Sequence, residues 1–385
     1  MISSCRWMAP QAFGRCRTVA ASLLVLTLAT AAALACGGGK KHEDAATVAS
    51  GSPSTVHAPT IAVSYATPGA TTFRVLAGHP EGNRDVEAYM PADIRIRAGD
   101  TIEWTAWGFE GHTITFGQGD DVFAGIDYLV PNPQDQSERI FNPKLALRSE
   151  KQGTHDGTDE FINSGFIGVP AEQKYSLTFA KPGLFTYLCV VHPFTMTGTV
   201  SVEPAATQVE SPATVAARGA SDLTAHLAEL EAEARRLNAS ARLAPGPADS
   251  TTHYVQVGAI TDHGQVATYF PGALDVKAGD TVIFQNDDRD FHNVIFKGDR
   301  DLPPGVGLLF DPGGRGLNFS LSNASAVAVD PPAGGFDEKT FLSSGSLGVL
   351  QPRLYWTLRF TTPGTYVYAC TIHVLAGMSG VINVR

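Results

Sequence analysis

Most of this chain is written twice. Ala98-Gly99-Asp100-Thr101-Ile102 recurs as Ala278-Gly279-Asp280-Thr281-Val282, and Tyr89-Met90-Pro91 recurs as Tyr269-Phe270-Pro271. Phe161-Ile162-Asn163-Ser164-Gly165 recurs as Phe341-Leu342-Ser343-Ser344-Gly345. These pairs lie 180 positions apart, and beyond them the offset becomes 181, as one insertion would produce. Solenoid and propeller units repeat every 20–50 residues or so, so a period this long stands for two whole domains. A chain of 385 residues accommodates two domains and their linkers.

Each copy reads as all-β. Asp93–Arg97, Thr101–Thr105, Thr113–Phe116 and Tyr175–Phe179 are short and rich in Ile, Thr, Val and aromatics, with Gly, Pro and Asp at their borders. Leu274–Lys277, Thr281–Gln285, Asn293–Phe296 and Tyr355–Phe360 are their partners in the second copy. The spacing predicts two Greek-key β-sandwiches, over 71–204 and 251–385. Each copy also carries a Pro/Gly/Asp-rich addition, Asp120–Asp159 and Arg300–Phe336, expected to form surface loops. The linker 205–250 holds Leu223, Leu227, Leu230, Ala234 and Leu237 at helical steps. Ser221 is the expected N-cap of an amphipathic helix over 221–242. Two readings of its leucine stripe stay open: packing on a sandwich, or pairing with a second chain as a coiled-coil dimer.

The net charge of -10 and the lack of any Lys/Arg cluster exclude nucleic acid as a partner. Residues 1–36 read as an export signal. Arg6, Arg15 and Arg17 precede the apolar run Thr18–Ala32, and Ala33-Leu34-Ala35 stands before Cys36. This resembles a bacterial lipoprotein signal, which implies a lipid on Cys36 and membrane attachment, although Ala33 stands where that pattern prefers Leu. Cleavage after Ala35 with free secretion, or an uncleaved anchor, remain alternatives. All three place the folded part outside the cytoplasm, with 37–70 as a flexible tether. Only Cys189 and Cys370 then remain in the body, and their matched settings favour two separate metal thiolates over one disulfide.

Those settings carry the chemistry. The first copy runs Pro182-Gly183, an aromatic strand, then Cys189-x2-His192-x3-Met196-x-Gly198. The second runs Pro363-Gly364, an aromatic strand, then Cys370-x2-His373-x4-Met378-x-Gly380. One loop thus presents a thiolate, an imidazole and a thioether to a common point. The second imidazole must come from elsewhere in the sandwich, and His112 and His292, 180 apart, fit that role. Two His, one Cys and a weak axial Met form the soft trigonal set of blue copper sites, whereas zinc favours a Cys/His quartet. The other histidines (His42, His57, His79, His155, His226, His253, His263) are expected to be solvent-exposed.

These residues resemble the cupredoxin family, particularly plastocyanin-like and azurin-like blue copper domains, over both copies. The resemblance implies two cupredoxin sandwiches, two type 1 copper centres cycling between Cu(I) and Cu(II), and single-electron exchange with redox protein partners. His292-Asn293-Val294 and the His373–Met378 gap follow the plastocyanin-like pattern. The first copy departs from it with Thr113 in place of Asn and a shorter His192–Met196 gap. The family's C-terminal His lies near the surface in an apolar ring, which Pro193 and Phe194, or Val374, Leu375 and Ala376, would supply here. A copper oxidase or nitrite reductase is disfavoured: no His flanks Cys189 or Cys370, and no His-x-His occurs. A copper storage or delivery protein is the other alternative, set against few methionines beyond the export signal.

Overall fold

Along Thr72–Glu81 the buried residues are Phe73, Val75 and Ala77, and along Thr101–Ala106 they are Ile102, Trp104 and Ala106. This period of two gives each strand one face for a core. The computed structural model describes residues 63–66, 69–117, 127, 129–157, 161–193, 195–240, 243–246, 249–287, 290, 292–348 and 353–385. The export signal, Cys36, His42, His57, Phe194 and nearly all of the tether lie outside them.

The first sandwich sets Thr72–Glu81, Arg84–Met90, Thr101–Ala106 and Gln173–Phe179 against a second sheet. That sheet runs in the order Asp93–Arg97, Thr197–Glu203, Gly183–Leu188, Thr115–Phe116, Ile162–Asn163. Trp104, Phe116 and Tyr187 meet between the two. The second sandwich repeats the plan. Thr251–Thr261, Gly264–Phe270, Thr281–Gln285 and Tyr355–Arg359 face a sheet built on Ser379–Val384 and Gly364–Ala369. Phe284, Phe296 and Tyr368 take the places of the first aromatic trio.

The two sandwiches share a sheet. Arg84–Met90 pairs antiparallel with Gly264–Phe270, Asp85 standing opposite Gln265. Ten strands thereby run continuously through both copies. Gly264 fits here because a Cβ would stand 2.2 Å from the Asp85 carbonyl oxygen. Pro59–Arg385 is one compact unit.

Two expectations are corrected. The additions are not merely surface loops. Leu129–Pro131, Glu138–Phe141, Val306–Phe310 and Leu317–Ser322 form a four-stranded sheet, joined between the copies at Ile140 and Ser320. Leu317 and Phe319 bury against Leu145, Phe166 and Val190 of the first copy. The alternation of Leu317, Phe319 and Leu321 produces this strand.

The helix is longer than expected, Pro212–Ala239, and starts nine residues before Ser221. Its N-cap is Ser211, whose Oγ accepts the Thr214 N–H, with Pro212 in the first turn where its missing donor is harmless. Leu223, Leu227, Leu230, Ala234 and Leu237 pack on Val86, Ala88 and Met90 of one copy and Ala259, Val266 and Phe270 of the other. The stripe therefore staples both copies within one chain, occupying the face that a coiled-coil dimer would use.

Candidate metal centres

The duplicated motifs brace the residues singled out for metal binding. Tyr89 donates its hydroxyl to the Thr113 carbonyl at 2.5 Å, and Tyr269 to the Asn293 carbonyl at 2.6 Å. Ser164 accepts the Ile114 N–H at 2.8 Å, and Ser344 the Val294 N–H at 2.9 Å. His112 exchanges two backbone hydrogen bonds with Ile167, and His292 with Leu347. The imidazoles thus hang from segments fixed on both sides.

At the first centre, Cys189 Sγ lies 4.0 Å from His112 Nδ1 and 3.9 Å from His192 Nδ1. At the second, Cys370 Sγ lies 4.0 Å from His292 Nδ1 and 3.6 Å from His373 Nδ1. All six side chains are buried. Met196 and Met378 are buried in the same clusters as their cysteines, and the Cys N–H donates to the Met carbonyl at 3.0 Å in each copy. In the first copy the Met196 N–H donates to the His192 carbonyl at 2.9 Å, whereas the longer second loop forms a short 3-10 helix, Val374–Ala376.

Backbone N–H groups point at both sulfurs: Thr113 N at 3.4 Å from Cys189 and Asn293 N at 3.5 Å from Cys370. Burial opposes a thiolate at Cys189, but hydrogen bonding with His112 and His192 outweighs it and holds the thiol well below its usual range. The departure at Thr113 proves conservative in role. Asn293 Oδ1 accepts the Thr371 N–H at 2.8 Å, and Thr113 Oγ1 accepts the Val190 N–H at 3.0 Å. Either residue ties the first-His segment to the residue after the Cys.

The donor set suits copper. A sulfur and a nitrogen each about 2.0–2.3 Å from one ion stand close to the observed 3.6–4.0 Å apart when the angle between them is trigonal. One thiolate, two imidazoles facing it through Nδ1 and an adjacent Met are soft enough for Cu(I) and polar enough for Cu(II). With Nδ1 on the metal, each Nε2 keeps its proton and needs an acceptor.

The sequence model of copper binding proteins of the plastocyanin/azurin family matches residues 80–203 and again 255–385. The chain belongs to this family. A plastocyanin of Dryopteris crassirhizoma is 29% identical over 117 residues, 30% of this chain and 87% of the relative. A plastocyanin of Prochlorothrix hollandica is 31% identical over 143 residues, 37% of this chain and 80% of the relative. Among solved structures, a Cu(I) amicyanin mutant is 20% identical, covering 38% of this chain and 95% of that one with a TM-score of 0.21. Copper is the cofactor of this cupredoxin chain.

A plastocyanin/azurin-family chain is expected to hold its C-terminal His near the surface in an apolar ring, but here both are buried and carboxylates stand against them. His192 is 8% exposed and His373 is 1% exposed, because carboxylates rather than solvent face their outer nitrogens. Between them stands Glu110, whose Oε2 is 3.2 Å from His192 Nε2 and whose Oε1 is 2.9 Å from His373 Nε2. Glu87 Oε1 lies 3.6 Å from His192 Nε2, and Asp290 Oδ2 lies 3.7 Å from Nε2 of both His292 and His373. Burial pushes Asp85 up to about 6 and Glu87 up to about 8. Burial would raise Glu110 too, but its bonds to His192 and His373 hold it well below the usual carboxylate range.

These acids escaped the sequence reading, although a signal existed. Glu110 stands two residues before His112, and Asp290 two before His292, in register across the duplication. Two other histidines also depart from expectation. His155 is buried among Phe116, Phe179 and Phe185, and His253 is buried with Nε2 3.0 Å from Asp280 Oδ2. His226 and His263 stack partly exposed, their ring centroids 3.9 Å apart, with Glu229 beside them.

Proposed function

We propose that this chain is an exported two-centre blue copper protein that carries single electrons between redox partners. The first copper would be held by His112, Cys189, His192 and Met196, and the second by His292, Cys370, His373 and Met378, within domains 71–204 and 251–385. The carrying observation is the pair of buried Cys/His/His clusters, matched in register, each with a buried Met beside it. Bound copper supplies a one-electron couple between Cu(I) and Cu(II). The protein's contribution is to hold its ligands still. Paired backbone bonds fix His112 and His292, and the N–H groups of Thr113 and Asn293 hold the sulfurs. Little rearrangement then accompanies each electron, and the dry surroundings exclude competing ligands.

A carrier role is favoured over an oxidase because Leu188 and Val190 flank Cys189, and Ala369 and Thr371 flank Cys370. No histidine is the chain neighbour of either cysteine to connect it to further copper. It is favoured over storage because Met90, Met196 and Met378 are all buried. Val374 and Leu375, 50% and 72% exposed beside His373, supply an apolar patch for a redox partner. Lipidation of Cys36 would tether the protein to a membrane, with free secretion as the alternative; among the described residues no helix is long and apolar enough to cross one. The unequal loops after His192 and His373 would give the centres unequal potentials.

Visible and EPR spectra of the copper-loaded full chain test this reading. An intense blue band with type 1 hyperfine splitting and reversible bleaching on reduction is expected. A colourless protein, or a type 2 signal, overturns it.

A further inference from the structure

We propose that Glu110 couples the two copper centres, so that electrons pass between them inside one chain through His192, Glu110 and His373. This rests on reading both clusters as copper sites.

Each of these histidines faces its cysteine through Nδ1, leaving Nε2 as a buried donor. Metal-bound imidazoles usually give that proton to a carboxylate or carbonyl, which fixes the ring and tunes the metal. Here both give it to one carboxylate. The two oxygens of Glu110 offer enough lone pairs to accept from both rings at once, and their separate contacts, 3.2 and 2.9 Å, divide the work one oxygen per ring.

The bridge is built across the copies. Glu110 precedes His112 in the first, whereas His373 belongs to the second, 263 positions away. From Cys189 to Cys370 the gaps between successive groups are 3.9, 3.2, 2.9 and 3.6 Å, each a contact rather than a stretch of solvent. The rest of the fold holds this geometry. Asp85 pairs with Gln265 in the continuous sheet, Ile140 pairs with Ser320 in the shared sheet, and the long helix packs on both copies. Burial of both C-terminal histidines is what a path between them requires.

The step balances simply. One electron leaves Cu(I) at one centre, giving Cu(II), and converts Cu(II) at the other to Cu(I). No proton moves: each Nε2 keeps its hydrogen, and Glu110 remains a carboxylate. Its charge lies in a low-dielectric region between the centres, stabilising the more positive oxidised state of both.

The test uses the copper-loaded full chain, in wild-type form and as Glu110→Gln and Glu87→Gln. Gln has a single acceptor oxygen, and its amide would confront the second Nε2–H donor with another donor. Glu110→Gln should keep two coppers and the blue band, raise both reduction potentials, and slow re-equilibration after one-electron pulse reduction by roughly 10–100-fold. Glu87→Gln, beside His192 but not beside His373, should leave the second centre's potential unchanged. Unchanged potentials and exchange rate in a two-copper Glu110→Gln protein would overturn the proposal. Should that variant not fold, NMR of the wild-type Cu(I) form decides: both His192 and His373 Nε2–H protons should be downfield and protected from exchange. Rapid exchange at either one counts against the bridge. A wild type without blue copper would instead defeat the underlying copper reading.

Discussion

Replacing Gly258 with Ala should empty the second copper site for a reason that can be isolated. Gly258 has φ +72° at an irregularity in the pairing of Thr251–Thr261 with Gly264–Phe270. A Cβ there would stand 2.1 Å from His292 Nε2, whereas ordinary contact begins at 3.4 Å. The ring would have to withdraw by more than 1 Å, and it has little room, being fully buried with Cys370 Sγ 4.0 Å from its other nitrogen. Two effects add. A non-glycine residue in the left-handed region costs about 1–2 kcal/mol of folding stability. Displacing a metal-binding imidazole should weaken copper binding roughly 10–100-fold, or about 1.4–2.8 kcal/mol.

Gly279→Ala separates them, because Gly279 has φ +103° and nothing within 4 Å of its would-be Cβ. Urea denaturation without copper should show a loss in both variants, larger in Gly258→Ala because the crowded His292 ring is strained there too. Titration against a copper chelator, followed by the blue band, should show weakened binding at one site in Gly258→Ala and none in Gly279→Ala. Gly78, with a Cβ position 2.2 Å from His112 Nε2, should behave likewise at the first site. Equal copper affinity in Gly258→Ala and Gly279→Ala would refute the steric argument.

Two further predictions concern the frame. Gly219 lies within the long helix with its would-be Cβ 2.5 Å from the Met90 carbonyl oxygen; Ala ordinarily favours a helix by about 1 kcal/mol, but here Gly219→Ala should lower the Tm, and a raised Tm would show that the helix does not dock this closely. Asp280 accepts the N–H groups of Thr251 and Lys277 and bonds His253; burial alone would raise it, yet these bonds hold its carboxyl below the ordinary value. A depressed carboxyl contributes stability at neutral pH that disappears as pH falls through its folded value. Asp280→Asn should therefore cost about 1–3 kcal/mol at pH 7, and urea denaturation should show the gap closing below pH 4; a gap independent of pH would contradict the assignment.

What could be read in the sequence was mostly local or duplicated. Cys189-x2-His192 and Cys370-x2-His373 sit within single loops, so spacing alone brings their side chains to one point. The distant partners His112 and His292 were found only because the duplication put both in register. Of the acids at the junction, Glu110 and Asp290 also stand in register, each two residues before a ligand His, but that register does not show what they touch. Glu110 meets His373 across 263 positions, and its role depends on how two sandwiches share an edge, which neither copy's strand pattern encodes. Composition misled in the additions, where Pro and Gly concealed the alternation of Leu317, Phe319 and Leu321. It misled again before Ser221, where alanines resembling a linker continue the helix back to Ser211. His155 and His253 were misplaced for a related reason, since a turn-like neighbourhood does not reveal aromatic rings or an aspartate packed from other strands.

The most direct test of two separate copper centres is metal counting on the purified full chain after copper loading, with Cys189→Ser and Cys370→Ser beside it. Removing one thiolate removes the strongest ligand from one centre and leaves the other, roughly an entire domain away in sequence, intact. The account predicts two coppers in the wild type and one in each variant, with part of the blue absorption retained each time. A single copper in the wild type, or loss of all blue colour in either variant, would contradict it.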